Sequence, residues 1–143
     1  MTETDYPGLW EQIYSEVAPK HDVPLGAGPV NREDLAKACR ETFRAFLLEV
    51  YRETLRTQYQ GLPMEGVDPL VLKVVQLHHW TIETVQAMSE MDLMIALADE
   101  LNHFKLPEKA FRWASGKFHD LPHPERYELL EPHRPPEMQD LPT

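Results

Sequence analysis

The sequence predicts an all-α fold, on three observations. Apolar residues recur at three- and four-residue spacing through most of the 143 residues. Helix-start signals stand in front of those runs, at Asn31, Asp68-Pro69 and Ser89. No segment alternates apolar and polar residues as a half-buried strand does. The expected architecture is a single-domain bundle of about five helices over residues 1–119. A proline-rich C-terminal tail, 120–143, follows, with at most one short helix.

Residues 6–18 carry Tyr6, Leu9, Trp10, Ile13, Tyr14 and Val17 at helical spacing, with Pro7 in the first turn and Pro19 as the stop. The loop that follows, PKHDVPLGAGPV (19–30), contains LGAGP. It lacks both the Lys-Ser/Thr ending and the preceding strand of a phosphate-binding loop. Asn31 caps a long helix to about Tyr59, with Glu33 and Asp34 in the first turn, where the helix dipole favours acids. Leu35, Ala36, Cys39, Phe43, Phe46, Leu47 and Val50 share one face of it.

After the loop QGLPMEGVD (60–68), Asp68 and Pro69 open a helix expected to run to Met88. Its inner face holds Leu70, Val71, Val74, Val75, Leu77, Ile82, Val85 and Met88.

The segment SEMDLMIALADELNHF, Ser89 to Phe104, is read as the central helix of the molecule. At 100° per residue, Met91, Met94, Ile95, Ala98 and Leu101 form one broad face, and Leu93, Leu97 and Phe104 a second patch. A polar strip of roughly 100° remains, holding Asp92, Asp99, Glu100 and His103. Both apolar faces are expected to be covered, by neighbouring helices or by a homodimer seam. Ser89 is the N-cap and Asp92 stands at the reciprocal position of a capping box. PEKAFRWASGKF (107–118) is a shorter helix with Ala110, Phe111, Ala114 and Phe118 on one side. The last 24 residues hold six of the 13 prolines, and only PERYELLE (124–131) is a helical turn or two within an extended polyproline-like tail.

The formal net charge is −10, and residues 61–104 carry −6 of it, from seven acids against the single base Lys73. Such a surface repels phosphate, so direct nucleic-acid or anionic-membrane binding is disfavoured, and a basic protein surface is the natural complement. The single cysteine, Cys39, excludes an intramolecular disulfide. MTETDYPGLW has no signal-peptide character, and no apolar run reaches membrane-spanning length, so a reduced, cytoplasmic setting is expected.

Most of the seven histidines read as solvated: His21, His119, His123 and His133 fall in loops or the tail. His78 lies in the apolar face of its helix and is expected to be a core histidine bonded to a neighbouring helix. Glu100-Leu-Asn-His103 matches one Glu-x-x-His pair of a di-iron bundle, but such bundles need two pairs and two further carboxylates pointing into the core. His79 and Glu83 are the only candidates to complete it, and the wheel places them outside. No metal, cofactor or catalytic residue is therefore assigned. Cys39, with no base placed to activate it, is a small core residue.

Trp80 sits at the edge of the polar side of its helix, near Gln76, Glu83 and Ala87. It is either an interface anchor or covered by a further helix. The function expected is that of a non-enzymatic module binding a protein partner with a basic surface, as inhibitor or assembly chaperone. Trp80, Glu83, Asp92, Asp99, Glu100 and His103 are the contact residues. The alternatives are a metal-dependent enzyme using Asp99, Glu100, His103, His79 and Glu83, a self-associating structural subunit, and contact through Leu121, Tyr127, Leu129 and Leu130 of the tail.

Overall fold

A computed structural model describes residues 5–24, 31–59, 62, 65–118, 121 and 123–136, which contain helices, turns and no strand. The α-helices are α1 (Tyr6–Val17), α2 (Arg32–Gln58), α3 (Asp68–His78), α4 (Ile82–Gln86), α5 (Glu90–Ala96), α6 (Ala98–Asn102), α7 (Glu108–Ser115) and α8 (His123–Leu130). Short 3-10 turns follow α1 and α8, at Ala18–His21 and Glu131–His133. The all-α class holds, but eight helices stand among the described residues where about five were expected. The LGAGP loop, His119, the side chain of His123 and residues 137–143 lie outside them.

The chain groups into two compact units: Met1–Leu47 with Lys105–Thr143, and Leu48–Phe104. That grouping does not follow the division expected at residue 119. Helix α2 supplies its first half to one unit and its second half to the other.

In the first unit the starts are as the residues dictate. The Asp5 carboxylate accepts from the Gly8 N–H at 3.1 Å and opens α1. Asn31 Oδ1 accepts from the Glu33 N–H at 2.7 Å ahead of α2. The core is aromatic. Trp10 meets Phe46 edge-to-face at 5.2 Å, and Phe43 meets Phe118 at 5.1 Å, each pair adding about 1 kcal/mol beyond the area it buries. Ala110, Phe111, Ala114 and Phe118 are all buried, as their spacing required, and so is Cys39.

The helical turns expected at 124–131 stand as α8, but the segment that follows it, to residue 136, begins with a 3-10 turn and packs into the core where an extended tail was expected. His133, read as solvated, is buried against Phe43 at 5.7 Å, and its carbonyl accepts the Leu106 N–H at 3.0 Å. Leu121, Leu130 and Pro135 are buried too. The prolines do not prevent this, because Pro124 and Pro132 stand in first turns, where a missing N–H costs no hydrogen bond. Arg40 grips Glu125 with both its Nε and a terminal nitrogen, fixing α8 to α2. That bond, with the charge of Arg40, holds the Glu125 carboxyl below the usual range. Its stabilisation is therefore present above the unfolded-state pKa and is lost as pH falls through the lower folded value.

The second unit is aliphatic. Leu48 and Leu55 of α2, Leu70, Val71 and Val74 of α3, Val85 of α4 and Leu93, Leu97 and Leu101 of α5 and α6 form its core with Tyr51. Phe104 packs on the Tyr51 ring at 5.0 Å.

Candidate functional site

The second unit concentrates the residues that could meet a partner. Eight large apolar side chains are exposed among the described residues, and seven of them, Leu62, Val67, Leu77, Trp80, Ile82, Met91 and Ile95, belong to this unit. The exception is Tyr127.

Two helix breaks create the arrangement. The helix expected from Asp68 to Met88 ends at His79, which adopts φ 59° and closes α3 as a left-handed cap. Histidine is one of the few non-glycine residues that enters this region with some frequency. The chain then leaves the helix line, carrying Trp80 outward. It restarts when Thr81 Oγ1 accepts the Thr84 N–H at 3.2 Å and caps α4. The second break, at Leu97, divides the expected central helix into α5 and α6. The backbone bonds Leu97 N–H to Leu93 and Leu101 N–H to Leu97 persist at 3.0 and 2.9 Å, so the helix bends without reversing. His78 Nε2 lies 2.8 Å from the Ala96 carbonyl oxygen, beside the break. An oxygen that only accepts requires that this nitrogen carry the proton. His78 thus bonds to a neighbouring helix, as expected of it, but from an exposed position and not from the core. Its ring stacks on Trp80 at 4.6 Å and 19°.

The two apolar faces of the 89–104 segment have different fates. Leu93, Leu97 and Leu101, spaced by four, are buried. Met91 and Ile95, also spaced by four and about 200° round the helix from Leu93 and Leu97, are 64% and 67% exposed. Of the first face, Met91, Ile95 and Ala98 are exposed while Leu101 is buried and Met94 packs against the core, so neighbouring helices among the described residues cover that face only in part. Ser89 does cap α5, accepting the Asp92 N–H at 3.1 Å.

Among the expected contact residues, Trp80 is 44% exposed. Glu83 on α4, Asp92 on α5 and Asp99 on α6 are exposed, and His103 is exposed just past α6. Asp99 and His103 come together: His103 Nδ1 is 2.9 Å from the Asp99 carbonyl oxygen and 3.6 Å from its carboxylate. Glu100 is half-buried and lies apart in role. Burial first, and then the charge of Glu100, push the Tyr51 phenol up to about 12. The Tyr51 hydroxyl is buried with no hydrogen-bond partner among the described residues. Among the described residues no group of three or more His, Cys, Asp or Glu side chains is arranged around a common point as metal ligands. His79 is given over to the helix cap.

Glu65, Asp68, Glu83, Glu90, Asp92 and Asp99 are all exposed, and Lys73 is the single base from residue 57 to 104. No ion pair joins any of the six to a lysine or arginine among the described residues; the arginines of the unit, Arg52 and Arg56, pair with Glu49 and Glu53 on α2 itself. The negative field there is only weakly offset, by the single charge of Lys73.

Sequence reasoning missed Met91, Ile95 and the His78–Trp80 stack. A signal for the second was present: Thr81-x-x-Thr84 is a helix start, and a start at 81 requires a stop just before it. Nothing in the sequence distinguishes which apolar face of 89–104 is open. The chain matches no protein-family model, no curated protein and no solved structure.

Proposed function

We propose that the protein is a non-enzymatic binding module that acts stoichiometrically on a protein partner with a basic surface, as an inhibitor or an assembly chaperone masking that surface. The observation that carries this reading is the set of exposed, unneutralised carboxylates over residues 65–104, lying in the same unit as seven exposed apolar side chains. Acids alone serve hydration. Acids beside open apolar residues fit a surface that first attracts a basic partner and then buries against it.

Contact through the C-terminal segment has less to stand on. Leu121 and Leu130, two of its four candidate anchors, are buried in the first unit, which leaves Tyr127 exposed and Leu129 half-buried. Self-association keeps one supporting observation, the open Met91–Ile95 stripe, and is opposed by the like charge that two copies would bring together.

The test is crosslinking in the native cell with identification of the partner, followed by titration. The reading expects a partner with a basic surface, saturation at one chain per partner site, and loss of the partner's nucleic-acid binding where it has any. A partner with an acidic face at the crosslinked site, or sub-stoichiometric turnover of a substrate, contradicts it.

A further inference from the structure

The open residues fall into two neighbouring groups. On α5, Met91 and Ile95 stand one turn apart on the face opposite the buried leucines. At the end of α3, Leu77 is exposed and Trp80 stacks on His78. The bond from His78 Nε2 to the Ala96 carbonyl ties the groups together, because Ala96 is the residue after Ile95. Taken together, the stack and the α5 stripe would make one apolar surface.

Its chemistry names its occupant. Asp92 follows Met91 on α5, and Asp99 stands four residues beyond Ile95; both are exposed and neither has a lysine or arginine partner among the described residues. Glu90, one residue before Met91, is exposed as well. An apolar strip flanked by carboxylates complements a segment with an apolar stripe flanked by cations. Methionine and tryptophan suit such a contact: one adapts its shape, the other gives a large rigid area. A second copy of this chain carries the same carboxylates and meets the strip with like charge.

We propose that the surface formed by Leu77, Trp80, Met91 and Ile95, edged by Asp92 and Asp99, docks a basic amphipathic helix of a partner protein. The proposal rests on the functional reading above and specifies the element recognised. Apolar residues of that helix at i, i+3, i+4 and i+7 lie along the strip, and its lysines or arginines meet the carboxylates.

The test uses the full chain and synthetic peptides of about four helical turns. The first carries leucines at i, i+3, i+4 and i+7 among lysines. The second has the same composition in strict alternation, the third lysine with no leucine, and the fourth leucine with glutamate in place of lysine. The proposal expects the first to bind, more weakly as salt rises, and about tenfold or more tighter than the other three. Trp80→Ala and the Met91→Ser/Ile95→Ser pair should each weaken it about tenfold or more, with helical circular dichroism and melting unchanged. Several results overturn it. Equal binding of the lysine-only peptide, unaffected by these substitutions, leaves the charge-based function standing without an apolar docking strip. Equal binding of the glutamate peptide removes the charge complementarity. A wild-type dimer in sedimentation that Met91→Ser/Ile95→Ser dissociates gives the strip to a second copy. Binding by none of the basic peptides defeats the proposal, while the functional reading stands or falls with the crosslinked partner's surface.

Discussion

The first unit, residues 1–47 with 105–143, and the second, residues 48–104, are built from different materials. The first holds 15 acids and 11 bases, and besides local pairs along the chain its described ion pairs include two that link separate segments, Arg40 to Glu125 and Lys117 to Glu11. Aromatic rings fill its core, and Tyr127 is its one exposed large apolar residue among those described. The second holds nine acids and three bases in 57 residues. Leucine and valine fill its core, its helices after α2 are short, and its surface shows seven large apolar side chains. The first unit pairs charges across separate segments and, among the described residues, hides nearly all of its large apolar side chains. The second leaves both in view. Acidity and open apolar area occurring in the same unit is the ground on which a docking surface is proposed there.

Substitutions can break this contrast or sharpen it. The largest effect is expected from Leu97→Glu. Leu97 is fully buried in the aliphatic core, and an unpaired carboxylate there costs several kcal/mol, on the order of the whole stability of a small domain. Circular dichroism should show loss of helix. A folded variant with normal melting would mean that the Leu93–Leu97–Leu101 stripe is not core, and the two faces of 89–104 would have to be exchanged.

Phe118→Ala should cost the first unit about 3–5 kcal/mol by leaving a cavity between Trp10 and Phe43. Denaturant titration checks it. A loss below about 1 kcal/mol, the range of an ordinary surface change, would show the aromatic network to be loosely packed.

Tyr51→Phe should move the other way. Its hydroxyl is buried without a partner among the described residues, so removing it should stabilise the second unit by about 1 kcal/mol. The wild-type phenol titrates higher in the folded state, near 12, than in the unfolded state. Its neutral form contributes stability that is present below the unfolded pKa and lost as pH rises towards 12. The variant should lose part of this alkaline slope; Tyr59, whose pKa is also raised by burial, keeps some of it. A destabilised variant would reveal a hydrogen bond to that hydroxyl in solution.

The smallest effect is expected from Met91→Ser/Ile95→Ser, within about 0.5 kcal/mol per site of the wild type, because both side chains face solvent. A large loss of stability would place them in a folded interface and dissolve the distinction between closed and open faces.

Much of this was legible in the sequence. Helical spacing of apolar residues fixes the all-α class, α1, α2 and α7, and the Ser89 and Asn31 caps follow from side chains that bond to local N–H groups. Three features were not legible, for physical reasons. His79 ends a helix in a left-handed conformation that glycine normally marks. Leu97 lies between two alanines, both strong helix formers, and the break beside it coincides with a bond from His78, a residue 18 positions away in the chain from Ala96. The short helix at 124–131 was legible and stands as α8, but the prolines after it suggested that the chain is extended from residue 132. Proline position decided otherwise, since Pro124 and Pro132 occupy first turns and leave Leu130 and His133 free to be buried. Of the site, the acids and Trp80 were readable from charge and position. The open Met91–Ile95 stripe was not, because either face of a helix apolar on both sides can serve as core.

The central claim is that charge brings the partner to the second unit and an apolar anchor holds it there. The measurement closest to that claim is the pair of association and dissociation rate constants for the identified partner, taken across a range of salt. Exposed charges are screened beyond about 8 Å at physiological ionic strength, so association should slow as salt rises. It should slow at fixed salt in Asp92→Lys/Asp99→Lys, and Trp80→Ala should act on dissociation, speeding it about tenfold or more. Rates that ignore both salt and the two reversals would contradict the account.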